Sequence, residues 1–572
     1  MIPRPMLKLI KNNLILIAII LIAIILRLSW GNTPPSLNWD EVSHGYNAYS
    51  ILTTGVDEWG EKYPTIFRAY GDYKLPVYIY LTAISESIFG LNIFAVRLPS
   101  ILAGIGTVIF TYLFAKQLFK ASYGLRVESS NTQPTTHNSQ TVALTAALLV
   151  AIEPWTLFLS RAAFEANLAL FFFVGGLYFF LRSQHTTYYI LHTTLLFGLT
   201  VWTYNSYRIF TPLFLSFLLI IYRKSLIEIY RSNKHLIHKS LIIILVFLVP
   251  MFYQLATTVG QARYSKVSIL DEGAINKINE LRFKIYELGY TDPIPRLMAN
   301  KATYFVQEFG KNYISYFDPR FLFIKGGDQY QFSIPNTGLL YIINLPFFYL
   351  GIYYLFKLKN RESKLLLVWL LLAPVAGSLT RESPHVLRGV TMLPIPMILS
   401  AFGFIRFTAH RSLFTFSYVI LLFVSMYFYL INYLTNYRIN YSWSWQYGYK
   451  EAVDYIKSNY DKYDKILITK KYGEPHEFTL FYLGYDSQKF RNDPNLIRFY
   501  QSGWYWVDRF DKFYFLNDWQ VRELRLESGD RVDCSNTKCL LVTSPNNYPD
   551  GFKKLETINF LDTQPAFEIY DK

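Results

Sequence analysis

Residues 14–30 read LILIAIILIAIILRLSW, and residues 38–49, soon after, read NWDEVSHGYNAY. The first stretch is a membrane span by length, since crossing the hydrocarbon core takes roughly 20 apolar residues, with a range of about 17–25. It is not a cleaved signal, because it closes on Arg27-Leu28-Ser29-Trp30 with no small-residue cleavage site, and a tryptophan suits the interface. The second stretch predicts a helix. Asn38 is a cap residue, and Glu41 three positions on completes a capping-box pattern. On that helix Asp40, Ser43, His44 and Asn47 share one face, and Val42, Tyr46 and Tyr49 another. The spacing predicts an amphipathic helix on the outer membrane surface, its polar face offering a carboxylate to whatever cavity the bundle holds. The plainer alternative is that Asp40 is a first-turn acid favoured by the helix dipole and Glu41 only a cap.

Ten further apolar segments follow at about 97–118, 141–158, 163–182, 188–204, 206–222, 240–257, 336–356, 364–380, 388–405 and 412–434, which makes eleven spans. Segment 75–90 is short and carries Glu86, so it reads as interfacial or re-entrant. With the N-terminus inside, every basic loop then lies inside, among them Arg223/Lys224/Arg231/Lys234/Lys239, Lys357/Lys359/Arg361/Lys364 and Arg406/Arg411. The polar 121–140 stretch becomes an inside loop, and residues 31–96, 258–335 and everything after about 435 lie outside.

The expected fold is an all-α polytopic membrane bundle with a small C-terminal α/β extracytoplasmic domain. Residues 1–434 form the membrane part and 435–572 the soluble tail. In the tail, Lys465–Lys470 reads as a strand, Tyr449–Tyr455 as a helix start, and Phe478–Leu483 and Cys539–Val542 as further apolar runs. Cys534 and Cys539 fit a pair or two thiols equally well.

Hydrophobic residues are 52% of the 572, and charged ones only 17%, which excludes a disordered chain; two cysteines exclude a disulfide scaffold. The net charge of +15 is spread between apolar blocks rather than gathered in a patch, so nucleic acid is not an expected partner.

Polar residues gather on the outer side. Lys74 precedes Leu75-Pro76, Arg97 opens the second span, and Glu153 and Arg161 flank the end of the third. Tyr204–Arg208 joins two spans, as does Arg381–Arg388 with His385 inside it. Any one arginine reads as a snorkelling anchor, but anchors should populate both leaflets alike. A carboxylate can take the proton of an acceptor hydroxyl, and Lys and Arg can hold a phosphate. A phosphate ester leaves as a stable anion without a general acid. The donor so implied is a lipid-linked phosphosugar.

These motifs resemble the GT-C superfamily of polyprenyl-phosphate-sugar glycosyltransferases, in particular the protein O-mannosyltransferase and lipid A aminoarabinose transferase families. The resemblance is carried by Trp39-Asp40-Glu41, the Lys74-Leu-Pro run, Arg97-Leu-Pro-Ser, Pro154-Trp with Arg161, and His385 with Arg388. It implies an inverting hexosyl- or pentosyltransferase of the cell membrane. Its partners would be a polyprenyl-phosphate-linked sugar, a hydroxyl-bearing acceptor (protein, lipid or glycan) and the bilayer. Asp40 would be the general base and Glu41 would assist or structure the site. Lys74, where the family's Lys-Pro-Pro reads Lys-Leu-Pro, would contact the lipid phosphate, and Arg161, Arg208, His385 and Arg388 would be further phosphate or sugar contacts. The first loop holds no Asp-x-Asp pair, so a divalent metal, which some members of that superfamily use and others do not, is not indicated, and no other cofactor is expected. The competing classes are a flippase of a lipid-linked saccharide, for which the sequence lacks the expected internal repeats, and an oligosaccharide ligase or polymerase of the same topology. The tail also resembles outer-surface domains of such enzymes at Trp445–Ala452 and Tyr472-Gly-Glu-Pro-His476, where its aromatics suit either sugar binding or plain packing.

Overall fold

The computed structural model describes residues 4–29, 32–124, 136–408 and 412–572. Trp30, Arg411 and most of the 121–140 loop lie outside the described residues. The chain divides into two compact units. One comprises residues 1–29, 102–160 and 165–428, the other 30–101, 161–164 and 429–572. The first outer loop, expected with the membrane part, thus folds with the tail.

The first unit is helical. Among the described residues four helices are long and apolar enough to cross a membrane: Ile93–Lys120, Glu165–Ser183, Lys234–Leu255 and Ser412–Asn440. A fifth crossing results if Asn205–Ile221 and Arg223–Ser232, bent by 81°, count as one, and five shorter apolar helices accompany them. The expected count of eleven is therefore not reached, and the reason lies in the backbone. Segment 141–158 divides at Glu153-Pro154 into Thr136–Ile152 and Pro154–Leu159. Segment 364–380 divides around Pro374, and 388–405 starts as the 3₁₀ turn Arg388–Met392 before Pro394. Proline lacks the N–H and disfavours helix in the residue before it, so apolar runs continue where helices stop. Leu241, Leu245, Val249 and Phe252 on Lys234–Leu255 are exposed over about half of their surface, which suits a lipid-facing helix. Buried Arg27 in this unit is anchored: its Nη1 and Nη2 donate to the carbonyls of Ala151 and Val150 at 3.0 and 3.1 Å, capping the end of a neighbouring helix.

The second unit starts with helix α1 (Trp39–Thr54). Its capping box is present: Asn38 Oδ1 accepts from Glu41 N, and Glu41 Oε2 from Asn38 N. Gly55 closes the helix at φ 72°, where other residues are strained. Strands β1 (Phe67–Ala69) and β2 (Asp72–Lys74) form a hairpin, followed by helix α2 (Pro76–Phe89) with proline in its first turn. The tail adds helices α3 (Tyr449–Ser458) and α4 (Pro475–Leu483) and a seven-stranded sheet. Its strands are β3 (Lys465–Thr469), β4 (Ile497–Gln501), β5 (Trp504–Phe510), β6 (Phe513–Leu516), β7 (Cys539–Thr543), β8 (Lys553–Asn559) and β9 (Pro565–Asp571). The order is β4-β5-β6-β3-β7-β9-β8, with β3 parallel to both β6 and β7. Cys534 and Cys539 are disulfide-bonded.

Helix α1 departs from expectation in one respect. It does not lie on a surface with a polar face exposed: Ser43, His44 and Asn47 are as buried as Val42 and Tyr46. It packs between α2 and α4, and contact with α4 is so close that a Cβ on Gly45 would come within 2.5 Å of the Phe481 ring. Its polar face is covered from nearby in the chain, His44 by the Tyr78 ring and Asn47 by the Glu58 amide, while Gly45 and Tyr46 meet residues more than 400 positions further on, beyond the reach of helical periodicity.

Candidate active site

The N-terminal turn of α1 carries two adjacent carboxylates in opposite circumstances. The Asp40 side chain is half exposed, at 52%, and its Oδ1 is 2.7 Å from the buried ammonium of Lys74. Lys74 Nζ also donates to the Asp40 carbonyl at 3.1 Å, so the end of β2 is clamped to the first turn of α1. Tyr70 Oη donates to the Trp39 carbonyl at 2.6 Å and its ring stacks on Trp504. Trp39 rests on Gly473, φ 123°, where a Cβ would lie 2.4 Å from the indole.

Glu41 points inward and is fully engaged. Its Oε1 accepts from Arg97 Nε and the Ala163 amide, both at 2.8 Å, and its Oε2 from Arg97 Nη2 at 2.9 Å and the Asn38 amide at 3.1 Å. Arg97 also donates to the carbonyls of Pro34 and Ser36. Arg161, buried as well, directs Nε and Nη2 at the Thr33 carbonyl at 3.1 and 2.8 Å. Glu41, Arg97 and Arg161 together fix the 33–41 backbone that presents Asp40. Arg161, expected to touch phosphate, is placed beneath this loop.

Behind the Asp40–Lys74 pair lie three buried carboxyls that the sequence reading did not single out as site residues. Burial pushes Glu58 up to about 7 and Glu474 up to about 7. Glu477 is raised well above the carboxylate range by burial and then by the charge of Glu58. Trp59 Nε1 donates to Glu58 at 3.0 Å, and Trp504 Nε1 to Glu474. His476, 3.5 Å from Glu474 and 4.0 Å from Glu477, is pushed down to about 3 by burial and the Lys470 charge, so it is neutral. The signals were Asp57-Glu58 in the first loop and the Glu474-Pro-His-Glu run, each ordinary in isolation.

In the first unit, Arg208 and Arg388 line one cavity of about 470 Å³ together with Arg263, Tyr204 and Gln261, amid Leu255, Val267 and Leu379. Arg208 Nε donates to the Val201 carbonyl at 3.1 Å and its Nη2 to Gln254. Arg388 is held by Thr380 Oγ1 at 2.8 Å and by Glu382 Oε2 at 3.1 Å. Three guanidinium groups in a partly apolar cavity suit a phosphate on a hydrocarbon chain. His385 is absent from the cavity lining. Its Nδ1 accepts the amides of Leu387 and Arg388, and burial first, then the charges of Arg388 and Arg263, holds its pKa well below the usual imidazole value. Its Nδ1 thereby caps the turn that leads into Arg388. Arg263 was missed, since a single arginine in a long outer loop carries no pattern. Glu153, which marks the same sequence neighbourhood as Arg161, accepts the Tyr341 amide at 2.7 Å and serves packing. Among the described residues, no group of three or more His, Cys, Asp or Glu is arranged to hold a metal.

This architecture is the GT-C fold, and the resemblance of the motifs to that superfamily stands. The model of the dolichyl-phosphate-mannose-protein mannosyltransferase family matches residues 73–127. Among solved structures, ArnT from Cupriavidus metallidurans bound to undecaprenyl phosphate is 13% identical, with a TM-score of 0.51 over 98% of each chain, and its apo form is 11% identical with the same score over 98% of this chain and 97% of that one. The oligosaccharyltransferase AglB from Archaeoglobus fulgidus, in complex with an inhibitory peptide and a dolichol-phosphate, is 14% identical with a TM-score of 0.46 over 83% of this chain and 64% of that one. No curated protein matches the sequence significantly.

Proposed function

We propose that the protein is an inverting membrane glycosyltransferase. It moves a hexosyl or pentosyl group from a polyprenyl phosphate to a hydroxyl of a protein, lipid or glycan at the outer face of the cell membrane. The observation that carries this reading is Asp40: a half-exposed carboxylate at a helix start, fixed by Lys74 on one side and by the Glu41–Arg97 pair beneath. The acceptor hydroxyl oxygen attacks the anomeric carbon, the bond from that carbon to the phosphate oxygen breaks, and the proton passes to Asp40. The phosphate leaves as an anion that the Lys74 ammonium is suited to hold. ArnT binding undecaprenyl phosphate supports a lipid-phosphate donor. An N-terminus inside and a tail outside agree with the basic loops and with a disulfide in the tail, a bond suited to an oxidising compartment. The reading assigns no metal, so transfer should persist in excess chelator.

The test is transfer of labelled sugar from polyprenyl-phosphate-sugar by purified protein, with Asp40→Asn as the decisive variant. Loss of transfer in a folded variant supports the reading. Undiminished transfer removes it, as would movement of the lipid across vesicle membranes with no transfer at all.

A further inference from the structure

The tail contains a second cavity, of about 470 Å³, lined by Lys471, Tyr472, Asp518, Trp519, Arg522 and Asn547 among others. Its place in the sheet is specific. Lys471 and Tyr472 follow the end of β3, Asp518 and Trp519 follow β6, and Ser544 and Pro545 follow β7, so the cavity sits at the carboxyl ends of the three parallel strands. The chain leaves β3 and β6 toward opposite faces. After β3 it forms α4, whose His476 meets Phe515 on one face. After β6 it forms the turn 518–523, whose Val521 joins Leu467, Leu516 and Leu541 on the other. Such a divergence opens a crevice between adjacent strands, and in open α/β sheets that crevice is where ligands bind.

The side chains specify the ligand. Trp519 is 77% exposed at the rim, a flat apolar surface open to a ligand. Asp518 is a rigid floor: its carboxylate accepts Thr469 Oγ1 at 3.0 Å, Ser544 Oγ at 2.6 Å and Lys471 Nζ at 3.3 Å, and its carbonyl accepts Asn547 Nδ2 at 2.6 Å. With Lys471 paired to Asp518, Arg522 donates to the Asn546 carbonyl at 3.3 Å and, among the described residues, to no carboxylate. One unneutralised guanidinium beside a bare indole fits a sugar ring bearing an acidic group, the ring face on tryptophan and the anion on arginine. A dinucleotide is disfavoured, since the run after β3 is Lys470-Lys-Tyr-Gly-Glu474 rather than a glycine-rich phosphate turn.

We propose that this crevice binds an acidic saccharide. The site lies wholly in the tail and is independent of the chemistry assigned to Asp40.

The experiment measures binding of fluorescein-labelled trigalacturonate to full-length protein in detergent by anisotropy, with unlabelled trigalacturonate and maltotriose as competitors. Trp519→Ala and Arg522→Ala should each weaken binding by about tenfold or more, equivalent to about 1.4 kcal/mol. Asp40→Asn should bind like the wild type, and maltotriose should compete at least about tenfold more weakly than trigalacturonate. Absence of trigalacturonate binding, equal binding by Trp519→Ala and wild type, or equal competition by maltotriose would each overturn the proposal.

Discussion

Adjacent residues Asp40 and Glu41 should separate chemistry from architecture when each is changed to its amide. Glu41→Gln introduces an NH₂ group where both carboxylate oxygens now accept two donors each. Either amide orientation sets that NH₂ against Arg97 and one backbone amide, of Ala163 or of Asn38. It also leaves Arg97 buried without its counter-ion, and breaking a buried pair in this way costs about 3–5 kcal/mol. At roughly 2–4 °C per kcal/mol for a unit of this size, the melting midpoint should fall by about 10 °C. Asp40→Asn faces a different environment. Its partner Lys74 keeps the Asp40 carbonyl, and a half-exposed ion pair is worth at most about 1 kcal/mol, so the midpoint should move by no more than about 3 °C. Transfer by that variant should nevertheless drop by about 10²–10⁴, the contribution of a general base. The assay is a thermal melt in detergent, paired with transfer measured well below both midpoints. The reasoning is refuted if Glu41→Gln melts like the wild type, or if Asp40→Asn melts about 10 °C lower than the wild type.

Three further outcomes are expected. Arg388→Ala should raise the KM for the lipid donor by about tenfold or more, consistent with a charge-assisted hydrogen bond of about 1.5–3 kcal/mol, and Arg388→Lys should restore only part, since a point charge replaces a fork; donor titrations decide this. The wild type should lose stability as pH rises from 4.5 to about 7, because the folded state keeps on Glu58 and Glu474 protons that the unfolded chain releases above 4.5. The Glu58 share of this penalty is on the order of 3 kcal/mol, so Glu58→Gln should flatten the midpoint-versus-pH curve; superimposable curves would contradict it. Finally, Tyr230→Cys, in the helix Arg223–Ser232 among the most basic loop residues, should resist a membrane-impermeant thiol reagent applied to whole cells, and ready labelling would reverse the topology.

Local chemistry was legible in the sequence wherever neighbours along the chain decide the outcome. The Asn38–Glu41 capping box, strand β3, strand β7 and the start of α3 all arise from patterns a few residues long. The Phe478–Leu483 run became helix because Pro475 and Gly484 bracket it. Span number was less legible, since hydropathy reads through Pro154, Pro374 and Pro394 while the backbone does not. Of the candidate site, Asp40 and Lys74 stood out as separate motif residues, and their pairing is a finding of the structure. Arg161 donates to the Thr33 carbonyl and His385 accepts the amides of Leu387 and Arg388, partners that only three-dimensional geometry reveals. Glu477 had only the Glu474-Pro-His-Glu run to mark it, ordinary in isolation, and Arg263 had no pattern at all.

The second unit is assembled from residues 30–101, a four-residue piece at 161–164, and 429–572. Helix α1 is made early during synthesis, yet α4, which packs against it, is made more than 400 residues later. The carboxylate at position 40 therefore cannot acquire its full environment until the chain beyond residue 483 has been delivered. A nascent chain would display the motif while lacking the enclosure, so competence waits on that distant segment.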